Sequence, residues 1–596
     1  MLRCDVAEAD KWRIEDIYAN DAAWQSDYDS FADELNKGIR YKGRLAESAQ
    51  TLLDAIQVYD GLDEKAEKLY VYAYMRLYED MSDAKSQGMA QKAQALVVRF
   101  ASEYSFLEPE ILAIDEAKLR EWMDGKLGHY AHMIEDILLE KPHTLSADKE
   151  QLLAQASVMQ SAAKDIFSQF NNSDIKFDNI TDENGQSVPL TQGVYGRFME
   201  SSDRRVRKEA FESLYREYAG HINMLAASYT ANLKQAGFFA GVRNYNSALE
   251  MYLSQNNIPV SVYTNLIETV NSRMELMHRY VGLRKKALAV DELHMYDVYA
   301  PMVNDFSMKV DYAEAKNMVL EGLRPLGQHY RDILCEGYDN GWIDVRENQG
   351  KRSGAYSWGE YGTHPYVSLN YSDRLDDAFT LAHEMGHAIH TYHSNKSQPH
   401  VYAGYRIFVA EVASTCNEVL LMRSLLEGCT DRKERMYLLN HFLEQFKGTL
   451  FRQTMFAEFE MQTHTALQNG EALGAQDLCD IYRKLNEKYF GSEMVLDKQI
   501  EYEWARIPHF YTPFYVYQYA TGFSAAIAIA QGLIDGYKNG DDSAREGYFK
   551  FLSGGSSLHP IELLKLCGID MAAPAPVEAA LDVFKELIDE MESLLD

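Results

Sequence analysis

Along the first 170 residues, apolar side chains return every three or four positions between faces rich in Gln, Lys and Glu, as in residues 83–107 and 147–170. That spacing gathers the apolar residues on one side of a helix and predicts a run of long amphipathic helices, with little Gly or Pro to interrupt them. Between residues 173 and 191 the texture changes. The stretch DIKFDNITDENGQSVPLT has short β-like runs on either side of Asn184-Gly185, a hairpin turn pair, and predicts a small β excursion. Helical patterning resumes over residues 193–245, 259–288 and 312–334, while DELHMYDVYAP (291–301) is aromatic and aperiodic, a loop. Residues 341–371 are rich in Gly and aromatics and predict a small sheet, with residues 366–369 its clearest strand. A strand just upstream of the next helix can either hold an extended peptide along its edge or merely brace that helix.

The next helix starts near residue 373 and contains LAHEMGHAIHTYH (381–393). A loop broken by Pro399 and Gly404 follows, then a second helix over 405–426 that Gly428 ends. Helices continue to residue 596, interrupted by the Tyr-rich RIPHFYTPFYVYQYATG (506–522) and by SGGSSLHP (553–560). The pattern predicts a mainly α fold with a small β-sheet next to the helix at 381–393. No repeat, low-complexity tract or clean linker marks a boundary. The expected division is an N-terminal helical lobe, residues 1–200, carrying the hairpin insertion, and a second region, residues 201–596, that holds the helix at 381–393.

The chain has 596 residues, 46% hydrophobic and 25% charged, the balance of a folded globular protein too long for one ordinary core. Ninety acidic against 59 basic side chains give a net charge of −31. Such a surface repels nucleic acid and anionic lipid, and neither is an expected partner. The six cysteines show no C-x-x-C pair or regular spacing and predict free thiols in a reducing compartment. The N-terminal MLRCDVAEADKW lacks the apolar core of a signal peptide, and the most apolar helix, near 523–533, is too short to span a bilayer. The expected localisation is cytoplasmic; the oligomeric state is left open.

The chemistry is concentrated in His383-Glu384-Met385-Gly386-His387, an H-E-x-x-H pattern. On a helix, positions i and i+4 stand one above the other, so both imidazoles can face one ion while Glu384 stays near it as a general base toward water. A helix that happens to be rich in His is the plain alternative. A hydrolytic zinc site takes three protein ligands. His390 and His393 are on the same helix, but His383 and His390 are about 10.5 Å apart along the axis, so one straight helix cannot bring i, i+4 and i+7 onto one ion. Glu411 is the better third ligand. The chain has room before it to leave one helix, turn at Pro399 and return, and its neighbours Phe408, Val409, Ala410, Val412 and Ala413 make an unpaired carboxylate there costly to bury. Glu418, on much the same face, is either an alternative ligand or a partner that orients a histidine.

The HEMGH helix followed by FVAEVASTCNE (408–418) resembles the oligoendopeptidase F branch of the thimet oligopeptidase family of zinc peptidases. So do KWRIEDIY (11–18), SSDRRVRKEAF (201–211), RKKAL (284–288) with LHMYDVYAP (293–301), KRSGAYSWG (351–359) and FLSGGSSLHPIELLKLCGIDM (551–571), spread over nearly the whole chain. The resemblance implies one Zn2+ ion on His383, His387 and Glu411, with Glu384 as general base. It also implies a large two-lobed helical body around a deep channel that admits short unfolded peptides. It places a histidine and tyrosines of the 506–522 segment at the developing oxyanion. His509 fits that role; among Tyr511, Tyr515, Tyr517 and Tyr519, the reading takes Tyr517. The run Gly554 to Ser556 and the loop Gly354-Ala355-Tyr356 either contact substrate or simply turn the chain. Two functions follow: a zinc endopeptidase acting on oligopeptides, or a peptide-binding protein that has lost hydrolysis. The intact Glu384 and three ligand candidates favour the first.

Overall fold

The computed structural model describes residues 1–303 and 308–596. Among these the chain is mainly α-helical, with three small sheets of two or three short strands. It folds as two compact units, each assembled from three separate stretches of chain. The first comprises Met1–Pro142, Met308–Leu421 and Ile529–Gly568; the second comprises His143–Ser307, Met422–Ala528 and Ile569–Asp596. No helix among the described residues is long and apolar enough to cross a membrane.

The first unit opens with three helices, α1 (Asp21–Ile39), α2 (Ala49–Glu79) and α3 (Ala84–Tyr104). Each begins where a side chain meets backbone donors that the helix leaves unpaired. Asn20 accepts from the Ala22 and Ala23 amides, Ser48 from Thr51 and Asp83 from Ser86. The apolar stripe of α2, including Leu52, Ile56, Leu62, Leu69 and Tyr72, is buried against Trp24, Phe31 and Leu35 of α1 and Ala93 and Phe100 of α3. Helix α4 (Ala131–Leu139) follows, then α5 (Tyr312–Gly322).

A three-stranded sheet is built from β1 (Ile343–Asp344), β2 (Tyr356–Trp358) and β3 (Tyr366–Ser368), in the order β1-β3-β2. The central strand β3 is buried at all three positions, parallel to β1 and antiparallel to β2, with Ser357 opposite Val367. The loop joining β1 to β2 is anchored by the buried ion pair of Lys351 with Asp344, 2.6 Å. The sheet packs on α6 (Leu375–Ser397). At the start of α6 the Asp377 carboxylate reaches back to the Ser372 and Arg374 amides. Helices α7 (Ile407–Gly428) and α8 (Pro560–Lys565) complete the elements that matter below.

In the second unit, Ile180–Thr181 pairs antiparallel with Ser187–Val188. Gly185 takes φ +75°, the conformation that a residue without Cβ reaches freely. The Asp182 carboxylate closes the turn by accepting from the Asn184 and Gln186 amides. The hairpin is tied to the following helix, Arg204–Gly220, through Glu209 to the Thr181 amide (3.1 Å) and Arg205 to the Thr181 carbonyl (2.9 Å). The division expected at residue 200 therefore falls inside one compact unit, because these contacts join the residues before it to those after it.

Candidate metal centre

His383 and His387 lie one turn apart on α6, with ring centroids 4.9 Å apart and planes at 81°. Their Nε2 atoms are 3.3 and 3.4 Å from a single oxygen, Oε2 of Glu411 on α7. One donor atom from each of the three side chains falls within 4.8 Å of the other two. Four ligands arranged tetrahedrally at about 2.1 Å from a zinc ion stand about 3.4 Å from one another. Each imidazole nitrogen is already at that separation from the carboxylate oxygen, and all three donors lie within 4.8 Å of one another, so the donor set and its spacing fit zinc.

Two local features bring the helices to this approach. Gly386, between the two histidines, faces α7 so closely that a Cβ there would lie 2.5 Å from Ser414 Cα and 2.8 Å from the Ala413 carbonyl. The crossing is further pinned by the Asn417 side-chain amide, which donates to the Ala382 carbonyl at 3.0 Å and accepts from the Tyr330 hydroxyl at 2.9 Å. The His383 ring is oriented from behind: its Nδ1 donates to Glu418 Oε1 at 2.5 Å, leaving Nε2 to face Glu411. Holding one ring nitrogen in this way sets the tautomer that a metal needs at the other.

Burial works to lower the His383 pKa, but the Glu411 and Glu418 carboxylates at its two nitrogens outweigh it and raise the ring to about 10. Burial likewise pushes Glu411 up, and the two imidazoles overcome it and hold the carboxylate well below its usual range. Glu384 is buried, 6% exposed, and burial raises its pKa against the opposing pull of His383 and His387. Raising a carboxylate in this way makes it a better proton acceptor than a solvated one.

The other histidines of α6 are elsewhere. His390 is buried flat against Tyr405, centroids 3.8 Å apart, and burial pushes it down to about 3; His393 packs among His329 and Phe549. Tyr356 lies in the edge strand β2. The amide of Ser556 donates to the Tyr402 carbonyl at 2.9 Å. Ser556 also lines a cleft of about 630 Å3 in the first unit, together with Ser357, Trp358, Thr391 and Arg406.

In the second unit, His509 is exposed and has two tyrosine neighbours. The Tyr519 hydroxyl is 3.4 Å from its Nε2, and the Tyr515 ring is stacked with centroids 6.1 Å apart. Tyr517 is buried, 3% exposed, against Tyr263. Glu418 as the anchor of His383 had a signal in the sequence, its face shared with Glu411. Gly386 as the crossing point had only its place inside the motif.

An H-E-x-x-H helix crossed by a second helix whose carboxylate meets both imidazoles is the arrangement of a metallohydrolase. Residues 197–583 match the model of Peptidase family M3, and residues 110–177 match that of Oligopeptidase F. The chain is 47% identical over 595 residues to oligopeptidase PepF of Bacillus subtilis (strain 168), covering 100% of this chain and 88% of that protein. It is 40% identical to the group B oligopeptidase PepB of Streptococcus agalactiae serotype III, covering 100% and 98%. Among solved structures it is similar to oligoendopeptidase-F from Enterococcus faecium (38% identity, TM-score 0.74, covering 97% and 99%). It is also similar to a candidate peptidase from Chlamydophila abortus (35%, TM-score 0.93, covering 100% and 99%). The chain belongs to peptidase family M3 and is a metallo-endopeptidase.

Proposed function

We propose that this enzyme hydrolyses peptide bonds within short, unfolded oligopeptides and that its metal is one Zn2+ ion held by His383, His387 and Glu411. The observation that carries the metal assignment is the single Glu411 oxygen 3.3 and 3.4 Å from the two imidazole nitrogens. The substrate class rests on relatives named for oligopeptides that align with the whole chain. Zinc bound there supplies Lewis acidity, polarising the scissile carbonyl and making a water acidic. Glu384 takes the proton from the attacking water and hands it to the leaving amine; its burial beside the histidines suits both transfers. Glu418 keeps the His383 ring in register throughout.

His509 donates to the oxyanion that develops on the carbonyl. A tyrosine assists it, and in that role we favour Tyr519 over Tyr517. Tyr519 has its hydroxyl beside the His509 ring, whereas Tyr517 is buried against Tyr263. Free cysteines throughout the chain fit a reducing compartment, the cytoplasm.

The test is metal analysis paired with cleavage of a quenched fluorescent oligopeptide by wild type and Glu384→Gln. Stoichiometric zinc in both proteins, with cleavage lowered about 10²–10⁴-fold in the variant, is expected for loss of a general base. Equal rates would remove Glu384 from the mechanism, and absence of zinc from active protein would remove the metal assignment.

A further inference from the structure

A second cluster of metal-binding side chains lies in the first unit, outside the set His383, His387 and Glu411. His132 and Asp136 stand one turn apart on α4, the spacing that His383 and His387 have on α6, and His559 is the residue that caps α8. One ring nitrogen of each histidine and one oxygen of Asp136 lie within 4.8 Å of one another. The His132 and His559 rings face each other with centroids 4.8 Å apart and planes at 60°. His559 Nδ1 is 3.6 Å from Asp136 Oδ1. That is too long for a hydrogen bond. It is close to the separation of about 3.4 Å between neighbouring ligands on a tetrahedral ion.

The donors are also uncommitted. Neither imidazole makes a hydrogen bond among the described residues; the contacts of His559 are the His132 ring and the 3.6 Å approach to Asp136. The far oxygen of Asp136, Oδ2, accepts from Arg406 at 2.5 Å. The carboxylate is thereby fixed with Oδ1 turned toward the histidines. A basic group on the non-ligating oxygen is a common way of orienting a carboxylate that binds metal through its other oxygen. All three side chains are partly exposed, so an ion can reach them from solvent.

We propose that His132, Asp136 and His559 form a second metal site, for a divalent transition cation of the Zn2+, Co2+ or Ni2+ type. Two imidazoles and one carboxylate select such ions over Mg2+ and Ca2+, which prefer oxygen alone. Three protein ligands leave a position for water or another ligand. Met133, between two of the ligands, and Arg406 both line the cleft of about 630 Å3, so the site borders that cleft. The Arg406 charge opposes the cation, and this site releases its metal before the one on α6 does.

The test starts from metal-free full-length protein, equilibrated with buffered micromolar Zn2+ and assayed for bound metal by mass spectrometry. Wild type is expected to hold two equivalents. His559→Ala and His132→Gln each hold one and still cleave peptide; His383→Ala holds one and does not. Cobalt-loaded wild type shows two sets of visible absorption bands, one of which His559→Ala loses. The proposal is overturned by one equivalent in wild type, which would leave the cluster an ion pair only. It is equally overturned by two equivalents that survive both His132→Gln and His559→Ala. The wild-type count decides the matter even where a variant folds poorly, and the His383→Ala arm separates this site from the catalytic one.

Discussion

Gly386→Ala puts one methyl group where α6 and α7 cross. Its Cβ would lie 2.5 Å from Ser414 Cα, 2.8 Å from the Ala413 carbonyl oxygen and 2.9 Å from the Ser414 nitrogen, all of them backbone atoms that no side-chain rotation can clear. Ordinary contact begins near 3.4 Å, so α7 must retreat by about 1 Å. Glu411 is one turn before Ser414 on α7 and moves with it, whereas metal–ligand distances tolerate about 0.2 Å. The expected cost is about 1–3 kcal/mol of stability from overpacking and about a hundredfold in activity from a ligand misplaced by roughly 1 Å. Gly61→Ala is the control. Gly61 is exposed within α2 with nothing within 4 Å of its would-be Cβ, and the change should stabilise by about 0.5–1 kcal/mol. The assays are zinc affinity by competition with a chelator, kcat/KM on a fluorogenic peptide, and thermal unfolding. A Gly386→Ala protein with wild-type zinc affinity and kcat/KM would refute the reasoning that this glycine sets the position of Glu411.

Glu418→Gln, which loosens the His383 ring without touching a ligand, should weaken zinc binding about 10–100-fold by chelator competition; unchanged affinity would leave Glu418 no orienting role. His509→Ala should lower kcat about 10²–10³-fold at unchanged zinc content, the cost of one oxyanion donor. Tyr519→Phe should lower kcat more than Tyr517→Phe, and the reverse order would return the role to Tyr517. Glu460 is fully buried, accepts from the Phe514 amide at 2.9 Å, and is pushed by burial up to about 8. Between the ordinary Glu value of 4.5 and about 8, only the unfolded chain is ionised. Unfolding therefore releases a proton, and the contribution to stability falls as pH rises through that window. Glu460→Gln keeps the acceptor and removes the titration. Its melting temperature should gain on wild type steadily from pH 5 to pH 8, a gain that a pH-independent difference would exclude.

Much of this molecule could be read locally. The three- and four-residue spacing predicted the helices because an amphipathic face is a property of a short window. The Asn184-Gly185 pair predicted its hairpin because the turn's demand for φ +75° is met within four residues. The register of the tyrosines was less accessible. Residues 515, 517 and 519 alternate as a strand would, but a helix begins at Tyr517. Two positions apart on a helix are about 200° apart, so Tyr517 faces the core and Tyr519 is only half-buried. Without the helix start, the choice between them has no basis in spacing. The division into units was illegible for a related reason: each unit gathers three distant stretches, and no linker composition marks where the chain passes from one to the other.

By itself, the sequence determined the mainly helical character of the chain, the placing of His383 and His387 on one face, and the position of Glu384 between them, since helical geometry dictates these over five residues. It narrowed the candidates for a third ligand to a few acidic residues downstream. Only the tertiary structure decided which oxygen meets both imidazoles, that Glu418 stands behind His383, and that a glycine is what allows α7 to come near enough. The gathering of His132, Asp136 and His559 was likewise out of reach of pattern, because His559 is brought to α4 from the far end of the chain. Periodicity reports which way a side chain points along its own helix. What it meets there depends on packing between segments that are hundreds of residues apart.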